Sequence, residues 1–484
     1  MKKLTDILKN TPVREVCGDT AAAIGGLVYD SRAVKPGDCF FAVPGTQSDG
    51  HDYIPMAVEK GAAAIVCERM PADAAEGVAY VLVGDSAGAM ADMAAAFYDY
   101  PSRELKLVGI TGTNGKTTTA TLLYDLVRAM GYKAGLISTV VYKIDGREVE
   151  ATHTTPDSIR LNAMMREMAD AGCAYCFMEC SSHAIVQERT RGLDFAGGIF
   201  SNITHDHLDY HKTFAEYIRA KKLFFDRLPA GAFALTNADD KNGRVMVQNT
   251  AAGVHTYSLR TMADFRCKIV EMHLDGMLLR IDGQELWVGL LGRFNAYNLL
   301  AVYGAAALLG LDRGEVLRVL SMLHAVSGRF EKIRAANGTT AIVDYAHTPD
   351  ALENVIQTIE EIRTPGQQLI VVCGCGGDRD RTKRPEMAAI AVKYATTAVF
   401  TSDNPRHESP EAILDDMVAG LEPGARYLRI ADRAEAIRTA VMLSRPGDII
   451  LVAGKGHETY QIVGDVKHPF DDREEIKKRF ALLN

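Results

Sequence analysis

Residues 112–118 read Gly112-Thr113-Asn114-Gly115-Lys116-Thr117-Thr118. They follow an apolar run at 105–110 and precede a helical pattern at 119–130. A strand, a glycine loop and a helix in this order are typical of a phosphate-binding loop, because backbone N–H groups freed at the glycines and at the helix start converge on one anion. In such a loop Lys116 adds a positive charge, and the Thr117 hydroxyl is placed to hold Mg²⁺.

The spacing of this loop departs from the usual G-x-x-x-x-G-K-[ST] pattern. Gly109 lies one position too far upstream, so the strict match is only G-x-x-G-K-T. A plain glycine turn with a helix-capping threonine is therefore the alternative interpretation.

The length and composition predict a three-domain globular protein. A chain of 484 residues is too long for one hydrophobic core. The points at which the pattern of apolar segments and turns changes predict domains at residues 1–102, 103–328 and 329–484. The net charge of −8 argues against broad nucleic-acid binding. Because no apolar run reaches membrane-spanning length and no apolar signal core follows Met1, we expect no membrane partner and a protein that stays where it is made.

The nine cysteines are scattered, which suits a reducing cytosol better than a disulfide framework. Cys173, Cys176 and Cys180 have a spacing that faintly resembles a metal site, but they stand in an apolar stretch. We therefore predict that these three thiols, and also Cys373 and Cys375, pack in the core.

The order of apolar segments predicts an α/β fold. Alternating strands and helices after residue 105 indicate a central parallel sheet with helices on both faces, and the strands are expected at residues 105–110, 134–137, 175–179, 198–203 and 233–236. Between residues 265 and 290, turns at Asp275-Gly276 and Asp282-Gly283 predict an antiparallel extension. A second strand–helix series after Ser327-Gly328 predicts a Rossmann-like C-terminal domain, with strands at residues 341–345, 369–373, 398–401, 427–430 and 449–453.

Polar clusters follow several of these strands, and ligands of open α/β sheets gather at the carboxyl ends of the strands. Glu179-Cys180-Ser181-Ser182-His183 places a carboxylate near the phosphate loop, where it is a natural Mg²⁺ ligand, although a capping turn is the alternative. His205-Asp206-His207-Leu208-Asp209-Tyr210-His211 is rich in ionisable groups, so zinc is a further alternative.

Several loops in the C-terminal part of the chain contain arginine or lysine. Gly376-Gly377-Asp378-Arg379-Asp380-Arg381, Asp403-Asn404-Pro405-Arg406 and Gly454-Lys455-Gly456-His457-Glu458 each follow a predicted strand or lie between two. Arginines on loops stiffened by proline and glycine suit bidentate binding of carboxylates. A surface salt bridge is the alternative for each arginine taken singly.

These motifs together resemble the Mur ligase family, ATP-dependent amide-bond synthetases that build the cytoplasmic precursor of bacterial peptidoglycan. The resemblance is carried by residues 111–117, 179–183 and 206–211, by Gly292-Arg293-Phe294-Asn295-x-x-Asn298 and by Asp344-Tyr345-Ala346-His347-Thr348-Pro349. The first domain resembles that of the branch of the family that adds the third residue of the stem peptide, on the evidence of Pro36-Gly37-Asp38 and Asp49-Gly50-His51.

Within that branch, residues 403–406 resemble the signature of enzymes that add meso-2,6-diaminopimelate. The chemistry agrees, because diaminopimelate carries a second carboxylate that lysine lacks. Arg406 would bind that carboxylate by charge-assisted hydrogen bonds and would be left without its partner by lysine.

The resemblance implies a reaction and a location. ATP, as co-substrate, activates the carboxylate of UDP-N-acetylmuramoyl-L-alanyl-D-glutamate as an acyl phosphate, which the amine of diaminopimelate then attacks. From the resemblance we also expect Mg²⁺ as the cofactor, small molecules as the substrates, and a monomer in the bacterial cytoplasm.

The resemblance also implies roles for individual residues. The catalytic set is Lys116, Glu179, His207 and Lys221, and the metal sphere is Thr117, Glu179, His207 and Lys221, with Lys221 carbamylated to N6-carboxylysine. ATP would contact Gly112, Thr113, Asn114, Gly115, Lys116, Thr117, Thr118, Asn295, Asn298, Arg329, Asp344 and His347. The muramoyl dipeptide would contact Ser31, the loop at residues 47–51, Thr154, Thr155, Ser181, Gln187 and Arg189. Diaminopimelate would contact Arg379, Asp403, Asn404, Pro405, Arg406, Gly454 and Glu458.

Alternatives to this assignment come from a neighbouring lysine and from two other classes of protein. Lys222 is the neighbouring candidate for carbamylation. Folylpolyglutamate synthase shares the fold and the acyl-phosphate chemistry, but it resembles only the central part of this chain. A P-loop switch or non-catalytic nucleotide-binding module would not need three amino-acid-binding clusters.

Overall fold

The structure, a computed structural model, describes residues 1–45, 48–204, 206 and 208–483, with the backbone alone at residues 208 and 209. Within these residues, three main sheets of five, eleven and six strands follow one another along the chain. The α/β prediction is confirmed. None of the described helices combines the length and apolarity needed to cross a lipid bilayer.

The first sheet has the strand order β2-β7-β6-β5-β4. The strands of this part are β1 (Lys2–Lys3), β2 (Val13–Cys17), β3 (Ala23–Ile24), β4 (Leu27–Val28), β5 (Cys39–Phe41), β6 (Ala64–Cys67) and β7 (Ala79–Val83). Its helices are α1 (Leu4–Ile7), α2 (Ile54–Glu59) and α3 (Ser86–Phe97). A 3₁₀ turn, Pro101–Glu104, leads on to the second sheet, with Pro101 and Ser102 buried.

The second sheet is the largest. Its strands are β8 (Lys106–Thr111), β9 (Ala134–Ile137), β10 (Val141–Ile144), β11 (Arg147–Glu150), β12 (Tyr175–Glu179), β13 (Gly197–Phe200), β14 (Phe233–Asn237), β15 (Gly253–Ser258), β16 (Phe265–His273), β17 (Gly276–Ile281) and β18 (Gln284–Val288). Its helices are α4 (Lys116–Ala129), α5 (Ser158–Asp170), α6 (Ser182–Val186), α7 (Leu208–His211), α8 (Phe214–Asp226), α9 (Gly243–Val247), α10 (Arg293–Leu308) and α11 (Arg313–Leu320).

The strand order of the second sheet is β11-β10-β9-β12-β8-β13-β14-β15-β16-β17-β18. Pairing is parallel from β9 to β16, and β17 and β18 extend the sheet in antiparallel fashion, as predicted. Apolar side chains of α4 and α10 cover one face, and those of α5 and α8 cover the other. Buried Cys173, Cys176 and Cys180 belong to the second of these cores, so the packing prediction is confirmed.

The third sheet has the order β19-β20-β24-β21-β22-β23 and is parallel from β20 to β23. Its part of the chain holds the strands β19 (Glu331–Arg334), β20 (Thr340–Asp344), β21 (Leu369–Cys373), β22 (Thr397–Phe400), β23 (Tyr427–Arg429), β24 (Ile449–Ala453), β25 (Tyr460–Val463) and β26 (Val466–Pro469). The helices are α12 (Pro349–Ile362), α13 (Lys383–Tyr394), α14 (Pro410–Val418), α15 (Arg433–Leu443) and α16 (Asp472–Phe480). Cys373 and Cys375 are buried in its core, as predicted.

Candidate active site

A cavity of about 430 Å³ lies between the second and third sheets. Its wall is built from the carboxyl ends of several strands, including β8, β12 and β20. The predicted site residues in this wall are Thr113, Asn114, Gly115, Lys116, Thr117, Thr118, Thr154, Glu179, Ser181, Lys221, Asn298, Arg329, Asp344 and His347. The fold therefore brings residues from distant motifs to one place.

The glycine loop connects β8 to α4, as the sequence predicts. Gly115 has φ +86°, and a Cβ at this position would lie 2.5 Å from Asn298 Oδ1. Lys116 folds back over the loop, with Nζ donating to the carbonyls of Gly112 and Thr113 at 3.0 and 2.8 Å. Burial lowers the pKa of the Lys116 amine. This lysine is thus placed beside the N-terminus of α4, where anions are favoured.

Lys221 projects from α8 into the same cavity. It is 1% exposed, lies over the Tyr217 ring and donates to the Gly112 carbonyl at 2.7 Å. Burial, with the positive charge of Lys116 as a second cause, holds the pKa of Lys221 well below its usual value. A lowered pKa favours the uncharged amine, which is the form that can react with an electrophile.

The neighbouring Lys222 lies outside this cavity. Its Nζ forms an ion pair with Asp226 at 2.6 Å along α8, and it is not part of the cavity wall. The geometry therefore places Lys221, the residue selected from the sequence, in the cavity wall and the alternative Lys222 outside it.

Glu179 stands at the end of β12 and is 1% exposed. Its Oε1 accepts a hydrogen bond from the Thr139 backbone N–H at 2.7 Å, whereas Oε2 is buried without a hydrogen-bond partner among the described residues. A buried carboxylate oxygen without a partner is costly unless a ligand or ion satisfies it.

Magnesium suits the oxygen atoms of this wall. Glu179 Oε2 and the Thr117 hydroxyl are hard oxygen donors, and Mg²⁺ is bound through few protein ligands together with substrate phosphates. Within the described residues, no group of three or more His, Cys, Asp or Glu side chains could hold a metal by itself. His207, which the resemblance places in the metal sphere, and His205 of the same cluster both lie outside the described residues.

The opposite wall comes from the start of the third sheet. Arg329 Nη2 donates to the Thr117 hydroxyl at 3.2 Å, and its guanidinium lies 4.4 Å from the Tyr345 ring centroid. Asp344 accepts hydrogen bonds from the backbone N–H groups of Phe330 and Ala346, both at 2.7 Å. Burial raises the pKa of Asp344 and lowers that of His347. Arg329 therefore already contacts the phosphate loop.

Asn295 and Asn298 lie one helical turn apart at the start of α10. Asn298 Nδ2 donates to Asn295 Oδ1 at 3.1 Å, and Asn295 Nδ2 donates to the Leu291 carbonyl at 2.8 Å. Asn298 lines the cavity, whereas Asn295 lies behind it and orients Asn298.

The residues predicted for the muramoyl dipeptide form a chain of contacts beside Glu179. The Thr155 hydroxyl donates to the Glu179 carbonyl at 2.7 Å and accepts from the Ser181 N–H at 3.1 Å. Arg189 donates to the Thr155 carbonyl at 2.7 Å and to Gln187 Oε1 at 2.6 Å. Thr154 contacts Thr139 at 3.1 Å. Ser31 lies apart in the first sheet's part of the chain, where its hydroxyl contacts Met56.

The residues predicted for diaminopimelate form a second cluster. Asn404 Nδ2 donates to Glu458 Oε2 at 2.9 Å. Fully buried Lys455 donates to both Asn404 Oδ1 and Glu458 Oε2, at 3.0 and 2.9 Å, and lies 3.8 Å from Asp403. A Cβ at Gly454 would lie 2.6 Å from Asp403 Oδ2, so this glycine is needed for close approach.

Arg406 lies in the same cluster. Its Nη1 donates to the Gly377 carbonyl at 2.8 Å, and burial followed by the charge of Arg379 lowers its pKa. The carbonyl of Pro405 sits directly against Gly377. This second cluster adjoins the cavity through Tyr345, whose ring centroid is 5.1 Å from that of His457.

Several wall residues were not predicted from the sequence. Asp239 and Asp240 follow β14, and Asp239 accepts a hydrogen bond from the Tyr297 hydroxyl at 2.7 Å. Ligands of open α/β sheets gather at the carboxyl ends of the strands, so the position of Asp239 and Asp240 after β14 would have indicated both as candidate site residues. Asp350 accepts from Asn114 Nδ2 at 3.0 Å across the two sheets, and no local signal points to that contact.

Comparison with known proteins covers the whole chain. Three family descriptions match in order: "Mur ligase family, catalytic domain" at residues 23–98, "Mur ligase middle domain" at 110–306 and "Mur ligase, glutamate ligase domain" at 328–456. The chain is 55% identical to UDP-N-acetylmuramoyl-L-alanyl-D-glutamate–2,6-diaminopimelate ligases of Phocaeicola vulgatus and Bacteroides fragilis, covering 99% of the chain and 99% of each relative.

A solved structure of a ligase with the same name is similar in shape as well. Its TM-score is 0.71 at 31% identity, covering 100% of this chain and 99% of that one.

Proposed function

Because the chain belongs to the Mur ligase family, we propose that the cavity between the second and third sheets is the site of an ATP-dependent amide-bond ligation. The protein adds meso-2,6-diaminopimelate to UDP-N-acetylmuramoyl-L-alanyl-D-glutamate and releases ADP and phosphate. The observation that supports this site is that one wall holds a phosphate loop, a buried lysine and a buried carboxylate, one oxygen of which has no hydrogen-bond partner in the described part of the chain. Whole-chain similarity argues against folylpolyglutamate synthase and against a non-catalytic nucleotide-binding module.

The chemistry has two steps. A carboxylate oxygen of the muramoyl dipeptide attacks the γ-phosphorus of ATP, which forms an acyl phosphate and releases ADP. The amine of diaminopimelate then attacks the acyl carbon, loses a proton and displaces phosphate. Lys116, Arg329 and the N–H groups at the start of α4 neutralise the crowded negative charge.

Thr117, Glu179, His207 and carbamylated Lys221 are the residues we propose to hold Mg²⁺, which when bound would neutralise charge on the phosphate oxygens. Glu179 supports this role through its buried oxygen without a partner among the described residues. Lys221 supports it because burial and the charge of Lys116 lower the pKa of its amine, which favours the uncharged form that adds to CO₂. The resulting carbamate is carboxylate-like and attracts the cation instead of repelling it.

The second cluster supplies opposite charges for the carboxylate and the ammonium at the far end of diaminopimelate. Arg379 and Arg406 would bind the second carboxylate, and Glu458, held by Asn404 and Lys455, would bind the neighbouring ammonium. Asp403, Pro405 and Gly454 shape the loops around them.

The remaining assignments follow from this scheme. Residues 1–102, with Ser31, would bind the uridine end of the muramoyl substrate, residues 103–328 would bind ATP, and residues 329–484 would bind the amino acid. Thr154, Thr155, Ser181, Gln187 and Arg189 would hold the peptide part. The enzyme would act as a monomer in the bacterial cytoplasm, without nucleic-acid or membrane partners.

The direct test supplies the purified protein with the muramoyl dipeptide, ATP and Mg²⁺, with diaminopimelate or lysine in parallel. We expect ADP release only when all substrates are present, and faster release with diaminopimelate. Arg406→Ala should raise the KM for diaminopimelate far more than the KM for ATP. Absence of ADP from the complete mixture would contradict the proposed function.

A further inference from the structure

The two loops that carry Arg379 and Arg406 are joined by one backbone hydrogen bond and one hydrogen bond from a side chain to the backbone. One follows β21 and the other follows β22. The Gly377 N–H donates to the Asn404 carbonyl at 2.9 Å, and Arg406 Nη1 donates back to the Gly377 carbonyl at 2.8 Å. The position of each arginine therefore depends on the position of the other loop.

Each loop also contains a strained residue. Asp378 has φ +54° and Arg406 has φ +51°, both in the left-handed region that non-glycine residues rarely adopt. Such conformations persist only where the surroundings determine them strongly. Something must therefore hold both loops in place before the substrate arrives.

Arg384, at the start of α13, lies behind the two loops and is 0% exposed. Its guanidinium binds both carboxylate oxygens of Glu408, at 2.8 and 2.9 Å, and donates to the Gly376 carbonyl at 3.3 Å. Glu408 in turn accepts from the Asp378 N–H at 2.6 Å. The ion pair of buried Arg384 with partly exposed Glu408 thus contacts the first loop at Gly376 and Asp378 and includes Glu408 of the second loop.

We propose that Arg384 and Glu408 are positioning residues that set the preference for an amino acid with a second carboxylate. The pair fixes the separation of the Arg379 and Arg406 guanidinium groups, so that together they match one carboxylate. Neither Arg384 nor Glu408 needs to touch the substrate. This inference rests on the proposed function, since it concerns the same amino-acid site.

The chain offers a matched control. Arg381 also binds Asp416, at 2.8 Å, as Arg384 does at 2.7 Å. Its side chain is 64% exposed, and within the described residues its only hydrogen bonds from the guanidinium go to Asp416. Arg381→Lys therefore makes the same chemical change as Arg384→Lys without loosening the contact between the loops.

The experiment compares Arg384→Lys, Glu408→Gln and Arg381→Lys with the unaltered enzyme. For the first two we expect the KM for diaminopimelate to rise about tenfold, the KM for ATP to change less than about twofold, and the kcat/KM preference for diaminopimelate over lysine to fall about tenfold. Arg381→Lys should leave all three quantities within about twofold.

An unchanged preference in the folded Arg384→Lys and Glu408→Gln variants would overturn the inference. So would an equal rise of both KM values, which is what general loosening produces. Because Glu408 is partly exposed, Glu408→Gln carries the test if Arg384→Lys fails to fold. If the unaltered enzyme releases no ADP with diaminopimelate, the proposed function fails instead.

Discussion

At the scale of single residues, the buried amine of Lys221 leads to a specific prediction about catalysis. This amine donates to the Gly112 carbonyl and lies over the Tyr217 ring, and burial lowers its pKa, which favours the uncharged form. If its carbamate helps to neutralise phosphate charge, Lys221→Ala should lower kcat by roughly 10²-fold or more, as loss of one electrostatic stabiliser does elsewhere. Steady-state ADP release measures this.

The neighbouring Lys222→Ala is the control, since Lys222 pairs with Asp226 outside the cavity. It should retain activity within about twofold. Full activity of Lys221→Ala without added bicarbonate would show that no carbamate is needed at this position.

At the scale of elements, the loop between β8 and α4 depends on the backbone freedom of its glycines. Gly115 combines φ +86° with a side-chain amide 2.5 Å from where a Cβ would stand. Gly115→Ala should therefore destabilise the fold by about 1–3 kcal/mol and raise the KM for ATP, because the loop N–H groups are displaced. Thermal unfolding and initial rates measure the two effects.

Gly131, just beyond the end of α4, has φ +90°, and an added Cβ there would meet no described atom within 4 Å. Gly131→Ala introduces a similar backbone strain away from the phosphate site. It should destabilise the fold without changing the KM for ATP, and an equal rise in KM for both variants would refute a specific role of the loop.

At the scale of the whole molecule, polar contacts across the cavity help to join the second and third sheets. Asp350, on α12, accepts hydrogen bonds from Asn114 at 3.0 Å and from the Thr204 hydroxyl at 3.4 Å. Removing these contacts in Asp350→Ala should raise the KM for ATP about five- to tenfold, the equivalent of about one hydrogen bond.

Glu353→Ala is the control on the same helix, because Glu353 contacts Tyr394 within the third sheet's own part of the chain. It should leave the KM for ATP unchanged. If Asp350→Ala behaves like Glu353→Ala, the contact with Asn114 does not contribute to nucleotide binding.

The periodicity of the sequence was sufficient for most of the fold. Buried parallel strands are short continuous apolar runs, so β9, β12, β21 and β24 begin and end where they were expected. The hairpin of β10 and β11 was missed although Asp145-Gly146 marks its turn, because its strands are partly exposed and carry a weaker apolar signal. Strand β15 was also missed, because the residues at its start are exposed and carry a weaker apolar signal.

The sequence by itself determined the motifs, their order and the type of chemistry, since each motif is a local arrangement of backbone and side chains. The sequence already favoured Lys221 over Lys222, but only the tertiary structure shows that Lys221 lies in the cavity wall and that Arg384 lies behind the arginine loops. It also decided that Asp350 reaches Asn114. These contacts depend on how helices and sheets pack over long sequence separations, and periodicity carries no information about such distances.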